Sequence, residues 1–264
     1  MGHVPSLRFR ARLFLFPIMR RFFFEPTART GNEVLLSETE SRHISKSLRL
    51  HVGSQIQLFD GTGIRYLAEI TSIGRQIIAR ILKADADQEE GRAALHVKQA
   101  MLKNAKMDFL VEKCTELGVA TFTPFVSSRC QGKIDDEERG NKRQQRWQRI
   151  VESACKQCSR PRPMELKEPL SLADLSASAK QDPHTLRLLF WEEEKKKSLH
   201  DLSPFTEYEQ IHLLLGPEGG FSKEEVELAS RSGYQSVSLG PRILRAETAT
   251  VAAISIARYL AGDM

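Results

Sequence analysis

At 264 residues, with 41% hydrophobic and 28% charged side chains, the chain has ordinary globular composition and enough apolar material for a sizeable core, two domains being the better expectation. The formal net charge of +5 favours a polyanionic partner wherever the basic residues cluster. The 4 cysteines lack the dense spacing of a secreted disulfide scaffold, and no run approaches the ~18 apolar residues of a membrane span.

Residues 1–18, within MGHVPSLRFRARLFLFPIM, are rich in arginine and free of acids. A transit peptide has that composition, whereas the arginines and Pro17 break any secretory core. The expected start is Met19, with residues 1–18 an unstructured extension. From Arg20 onward, RRFFFEP and EVLLS are short apolar runs closed by turn formers, and SQIQLFDGTGIRYLAEITSIGRQIIARIL alternates around Asp60-Gly61-Thr62-Gly63. Ser37 with Glu40 predicts a capping box that launches one helix through ETESRHISKSLRL. Residues 19–88 therefore read as a small β-barrel with one helix, and the acidic KADADQEEGR as a linker near residues 84–92.

Residues 93–264 alternate strand and helix, which implies a mostly parallel α/β sheet. ALHVKQAML is a strand; Met107, Leu110, Val111, Cys114 and Leu117 share one helical face that ends at Gly118. VATFTPFVS is the next strand, followed by a helix through QQRWQRIVESACKQC and by the strand LRLLFW. Cys155 and Cys158 form a lone CxxC without a second pair, so they read as small apolar residues one turn apart. Between Arg139 and Arg162 stand Arg139, Lys142, Arg143, Arg146, Arg149, Lys156, Arg160 and Arg162 against a single acid, Glu152. A solvated helix face mixes both signs, so this run suits a phosphate backbone.

IHLLLGPEGGFSKEEVELA carries an apolar strand into a helix that Ser222 and Glu225 cap. The glycines fill the strand-to-helix turn, where α/β sheets bind ligands. No Gly-Lys-Ser/Thr triplet follows, so this is no phosphate loop. Glu218 would face a pyrophosphate, so the dinucleotide fingerprint fails as well. A neutral or cationic ligand fits better, and S-adenosylmethionine has that profile. Leu215-Gly216-Pro217 then recurs as Leu239-Gly240-Pro241, two loops able to wall one pocket from both sides. The last segment, Ala249 to Leu260, is apolar on nearly every side, as when a helix packs on its own sheet and on a second subunit.

LLLGPEGGFSKEE followed by SLGPRILRAETATVAA resembles the knotted methyltransferases of the SPOUT class, most closely the RsmE family of small-subunit rRNA uridine-N3 methyltransferases. KMDFLVEKCTELGV, RWQRIVESACKQCSR and HISKSLRL are also similar to that family, and the resemblance covers residues 19–264. It implies a PUA-like RNA-binding barrel, then a trefoil-knotted α/β domain, working as a cytoplasmic homodimer on a uridine in the decoding region of 16S rRNA or the small ribosomal subunit. It places S-adenosylmethionine on Leu215, Gly216, Glu218, Gly219 and Gly220 and on Leu239, Gly240, Ile243 and Leu244. Methylation at N3 requires loss of the N3 proton, and a fixed cation beside the ring would stabilise the anion. Arg245 is the candidate; Glu247 would orient it or act as general base. Arg20, Arg21, His43, Lys46 and Arg49 on the barrel, with Arg146 and Arg149, are the expected RNA contacts. No metal is expected. The alternatives are a SPOUT ribose 2′-O-methyltransferase and a non-catalytic assembly factor; the latter would show damaged glycine loops, and both are intact.

Overall fold

The computed structural model describes residues 19–86, 91–130, 137–178, 182–202 and 204–264. The extension 1–18 lies outside the described residues. The first unit comprises β1 (Arg21–Phe23), β2 (Arg29–Thr30), β3 (Glu33–Leu35), α1 (Glu38–Arg42), β4 (Gln55–Phe59), β5 (Ile64–Ile73) and β6 (Ile77–Ala86). They form one curled sheet in the order β1-β4-β5-β6-β3-β2, antiparallel except for β1 with β4. Two register shifts between β5 and β6 supply local twist. Alternate residues point inward, so Phe22, Phe24, Val34, Ile44, Ile56 and Leu58 are buried in one core. Asp60 stabilises the β4–β5 turn by accepting hydrogen bonds from the Thr62 amide (3.0 Å) and the Tyr66 hydroxyl (2.8 Å).

Two local expectations are corrected here. The Ser37 hydroxyl accepts from the Glu40 amide (3.2 Å), but the Glu40 carboxylate pairs with Lys156 instead of closing the capping box. The single expected helix is also divided: α1 gives way at His43–Ser47 to a π-helical turn, in which the Leu48 amide reaches the His43 carbonyl. The linker expected from residue 84 begins later, because β6 continues to Ala86, paired with Ile64, despite its turn-forming composition. Residues 87–90 of that linker lie outside the described residues.

The second unit runs β7 (Ala94–Ala100), α2 (Asn104–Glu116), β8 (Thr121–Val126), α3 (Glu137–Cys158), β9 (Glu165–Leu166), β10 (Leu170–Ser171), α4 (Leu172–Ala177), β11 (Thr185–Phe190), β12 (Gln210–Leu215), α5 (Lys223–Arg231), β13 (Gln235–Val237) and α6 (Ala246–Ala261). Its sheet order is β10-β8-β7-β12-β11-β13, with β9 beside β8 and every pairing parallel. Buried residues of α2, α3 and α6 join Leu95, Val97 and Leu213 in one core, and those of α4 and α5 join Leu189 and Leu214 in another. Both faces of the parallel sheet are thus covered. Cys155 belongs to the first of these cores, and burial pushes the Cys158 thiol above its ordinary value. No helix among the described residues is long and apolar enough to cross a membrane.

One row of this sheet is polar. His96 and His212 are register partners on β7 and β12, their rings 4.5 Å apart, with Lys98 nearby and Arg187 beside His212 on β11. Burial, reinforced by Lys98, lowers His96 to about 4 and His212 to about 3. The unfolded chain therefore takes up protons below pH ~6.5 that the folded chain refuses, and stability falls as pH drops toward 4. Each histidine contributes at most ~1.4 kcal/mol per pH unit to that slope. Thermal melts from pH 7 to 5 should show a steeper loss for the parent chain than for His212→Gln; equal slopes would exclude His212 as a cause.

Candidate active site

The site lies where three neighbouring strands end. β11 leads into Trp191-Glu192, β12 into Gly216-Pro217-Glu218-Gly219-Gly220, and β13 into residues 238–245 before α6. All three loops leave the carboxyl edge of the parallel sheet, the position α/β sheets use for ligands. They enclose a cavity of about 520 Å³, whose wall includes Leu215, Gly216, Glu218, Gly220, Leu239, Gly240, Ile243, Leu244 and Arg245. Residues 190–192, Arg242 and Lys106 of α2 also line it. That volume is typical of a small-molecule site.

Local chemistry sets the first loop. The Ser222–Glu225 capping box is complete in both directions, so α5 starts at Lys223 and leaves the glycines free to turn. Glu225 also accepts from the Ser128 amide (2.7 Å), and Arg129 donates to the Gly219 carbonyl (3.0 Å). Gln99, fully buried at the end of β7, donates to the Gly216 carbonyl (3.2 Å) and accepts from Thr250 of α6 (2.6 Å). The loop is thereby tied to its own sheet and to the last helix. In the second loop the Ser238 hydroxyl accepts from the Gly240 amide (3.1 Å) and Gly240 takes φ +109°, a conformation that suits glycine.

Two expected residues stand elsewhere. Gly219 faces Arg129, not the cavity: a Cβ there would lie 3.1 Å from the Arg129 Cβ. Glu247, in the first turn of α6, is set behind Lys106, whose Nζ is 3.2 Å from Glu247 Oε2 and 3.1 Å from Glu218 Oε1. Desolvation pushes the Glu247 carboxyl up, but its own backbone amide, Lys106 and Arg245 together hold it below the ordinary carboxylate value. The bond to Glu218, opposed by desolvation and joined by Glu247, raises Lys106 above the usual lysine value. At neutral pH Lys106 and Glu247 therefore face each other as an ion pair.

Lys106, Glu192 and Gln99 are the residues that sequence reasoning missed. Lys106 sits inside the KMDFL segment already noted, but only its apolar neighbours carried a periodic signal. Glu192 follows an apolar strand with nothing to single it out from the acids and lysines after it.

The basic residues sort into two groups. Arg20, His43, Lys46, Arg49 and Arg149 are exposed. Arg21 instead donates to Gln57 (3.0 Å) and to the Lys156 carbonyl (3.3 Å), joining the two units, and Arg146 pairs with Asp108. Lys142 pairs with Glu138, Lys156 with Glu40, and Arg160 is buried with a bond to the Thr115 carbonyl. Within the positive run, Arg146, Lys156 and Arg160 thus meet acids or carbonyls from other elements, Lys142 meets an acid of its own helix, and Arg146 and Lys142 keep most of their side chains exposed.

Residues 89–258 match the RNA methyltransferase domain model and residues 36–82 the RNA methyltransferase PUA domain model, so fold and cavity together define an RNA methyltransferase of the knotted SPOUT class with a PUA-like barrel before it. The ribosomal RNA small subunit methyltransferase E of Buchnera aphidicola (subspecies Schizaphis graminum) is 34% identical over 88% of this chain and 93% of its own length. The crystal structure of the Neisseria gonorrhoeae ribosomal RNA small subunit methyltransferase E bound to S-adenosylmethionine aligns with a TM-score of 0.81 at 32% identity, covering 92% of this chain and 98% of that one. A Legionella pneumophila methyltransferase in complex with the same cofactor gives 0.81 at 34% identity over 91% and 97%. The chain belongs to the ribosomal RNA small subunit methyltransferase E family.

Proposed function

We propose that this chain methylates N3 of a specific uridine in 16S rRNA, with S-adenosylmethionine as donor and the small ribosomal subunit of the cytoplasm as setting. The observation that carries the reading is the cavity itself: glycine backbone and apolar side chains line it, Glu192 and Glu218 stand on its wall, its cations Lys106, Arg242 and Arg245 come from α2 and the second loop, and its glycine loop lacks the Gly-Lys-Ser/Thr ending of a phosphate loop. That lining fits a flat adenosine bearing a positive sulfur and disfavours a polyphosphate. The donor, when bound, supplies an electrophilic methyl group.

The chain's own residues then have separate tasks. Gly216 and Gly220 allow close backbone approach, and Leu215, Leu239, Ile243 and Leu244 exclude water. Ile243 is 90% exposed in the free chain, so bound donor or RNA would cover it. Arg245, exposed at the start of α6, presents fixed positive charge to O2 or O4 of the uracil as the N3 proton leaves. Glu247 is a poor proton sink because its carboxyl titrates low, and it is better suited to orienting a cation than to acting as general base. Arg20, His43, Lys46, Arg49 and Arg149 are placed for phosphates, which supply affinity without sequence choice. The outer face of α6, with Ile256 and Tyr259 exposed, suits a second copy; light scattering that returned a monomer mass at micromolar concentration would remove the dimer.

The test is nucleoside mass spectrometry of rRNA from small subunits of a strain lacking this activity, after incubation with the protein and S-adenosylmethionine. N3-methyluridine is expected, with a new primer-extension stop at one uridine. A 2′-O-methylated nucleoside, or none, would overturn the assignment.

A further inference from the structure

Lys106 is the cavity residue whose contacts reach furthest. It projects from the first turn of α2, and its ammonium bridges a carboxylate from the first glycine loop (Glu218) and one from the first turn of α6 (Glu247). No backbone hydrogen bond among the described residues joins that loop to the first turn of α6. The remaining charged groups of the neighbourhood are Glu192 and Arg242 on the same wall and Arg245 at the cap of α6.

We propose that Lys106 is a positioning residue of the site: its ammonium clamps the Glu218 loop to the start of α6, so that the donor-binding loop and the Arg245 end of the helix hold one fixed spacing, and the trio keeps a net charge of minus one toward a cationic donor. This deepens the methyltransferase reading and rests on it for its catalytic consequence, but the clamp is a property of the free protein. Both carboxylates lie within ion-pair distance of one nitrogen. Removing the ammonium leaves two like charges on either side of its place, and each then disfavours the ionised form of the other. One carboxyl must then take up a proton at a higher pH than either does beside Lys106, and the two titrate as a coupled pair. Arginine, whose guanidinium can bridge two carboxylates, should restore much of the clamp.

Two readouts on the full chain test this. The first is a carboxyl carbon-13 NMR titration of selectively labelled glutamates, with Glu218→Gln and Glu247→Gln supplying the assignments. In Lys106→Met one of the two resonances should titrate at least one pH unit higher than in the parent; in Lys106→Arg both should stay near parental values. The second is the ratio of kcat to KM: Lys106→Met should lower kcat at least tenfold at pH 7 with thermal stability retained, and Lys106→Arg should recover most of the loss. Unmoved carboxyl titrations in a folded Lys106→Met chain, or parental kcat, would overturn the proposal. Should Lys106→Met not fold, Lys106→Gln carries both measurements with the same expected signs. If the parent chain transfers no methyl group while the titrations shift as stated, the functional reading fails and the clamp stands.

Discussion

A Gly220→Val chain should fold and lose at least ~100-fold in affinity for S-adenosylmethionine by calorimetry, because it fills the cavity wall from within. Gly220 takes φ +66°, and a Cβ built there would lie 1.9 Å from Glu192 Oε1 and 2.7 Å from its Cδ. The Glu192 side chain must swing away, which moves a carboxylate out of the wall it helps to form. A β-branched residue at positive φ adds backbone strain of ~1–3 kcal/mol. Gly219→Val is the informative partner. Its Cβ would press on Arg129 from outside the cavity, so a smaller loss is expected than at Gly220. Affinity unchanged in a folded Gly220→Val chain would remove the first glycine loop from donor binding.

Arg245→Ala should lower turnover ~100-fold or more with donor affinity intact. Positive charge beside the departing N3 proton acts only as the anion develops, so its loss falls on kcat; removal of one such stabilising group in other enzymes costs ~10²–10³. Arg245 is exposed and caps α6 without a side-chain bond, so the fold does not depend on it. Lysine at this position should recover part of the rate, because it keeps the charge and loses the planar donor fork. Near-normal turnover in Arg245→Ala would strike it from the mechanism.

Much of this was legible without coordinates. The repeated Leu-Gly-Pro, the Ser222–Glu225 cap and the strand–helix alternation are local signals, and local signals survive folding. The open capping box at Ser37 was not legible, because Glu40 is drawn to Lys156, a residue far along the chain. Partners for the positive run from Arg139 to Arg162 were not legible for the same reason: Asp108 and Glu40, which answer two of its charges, come from other elements. Glu247 illustrates the limit within the site. Its nearness to Arg245 in sequence suggested that pair; in space Arg245 does act on its carboxylate, but the ion pair within contact distance is with Lys106 of α2.

The sequence by itself determined the family, the two glycine-proline loops and the strand order of events along the chain, because backbone conformation at glycine, proline and capping serine is a short-range matter. Only the tertiary structure decided which of those residues face one cavity, that Gly219 and Glu247 stand off it, and that a lysine from α2 joins a carboxylate of the first loop to one at the start of α6. Side-chain charges find partners through space, and the distance between them is set by how the sheet and helices pack.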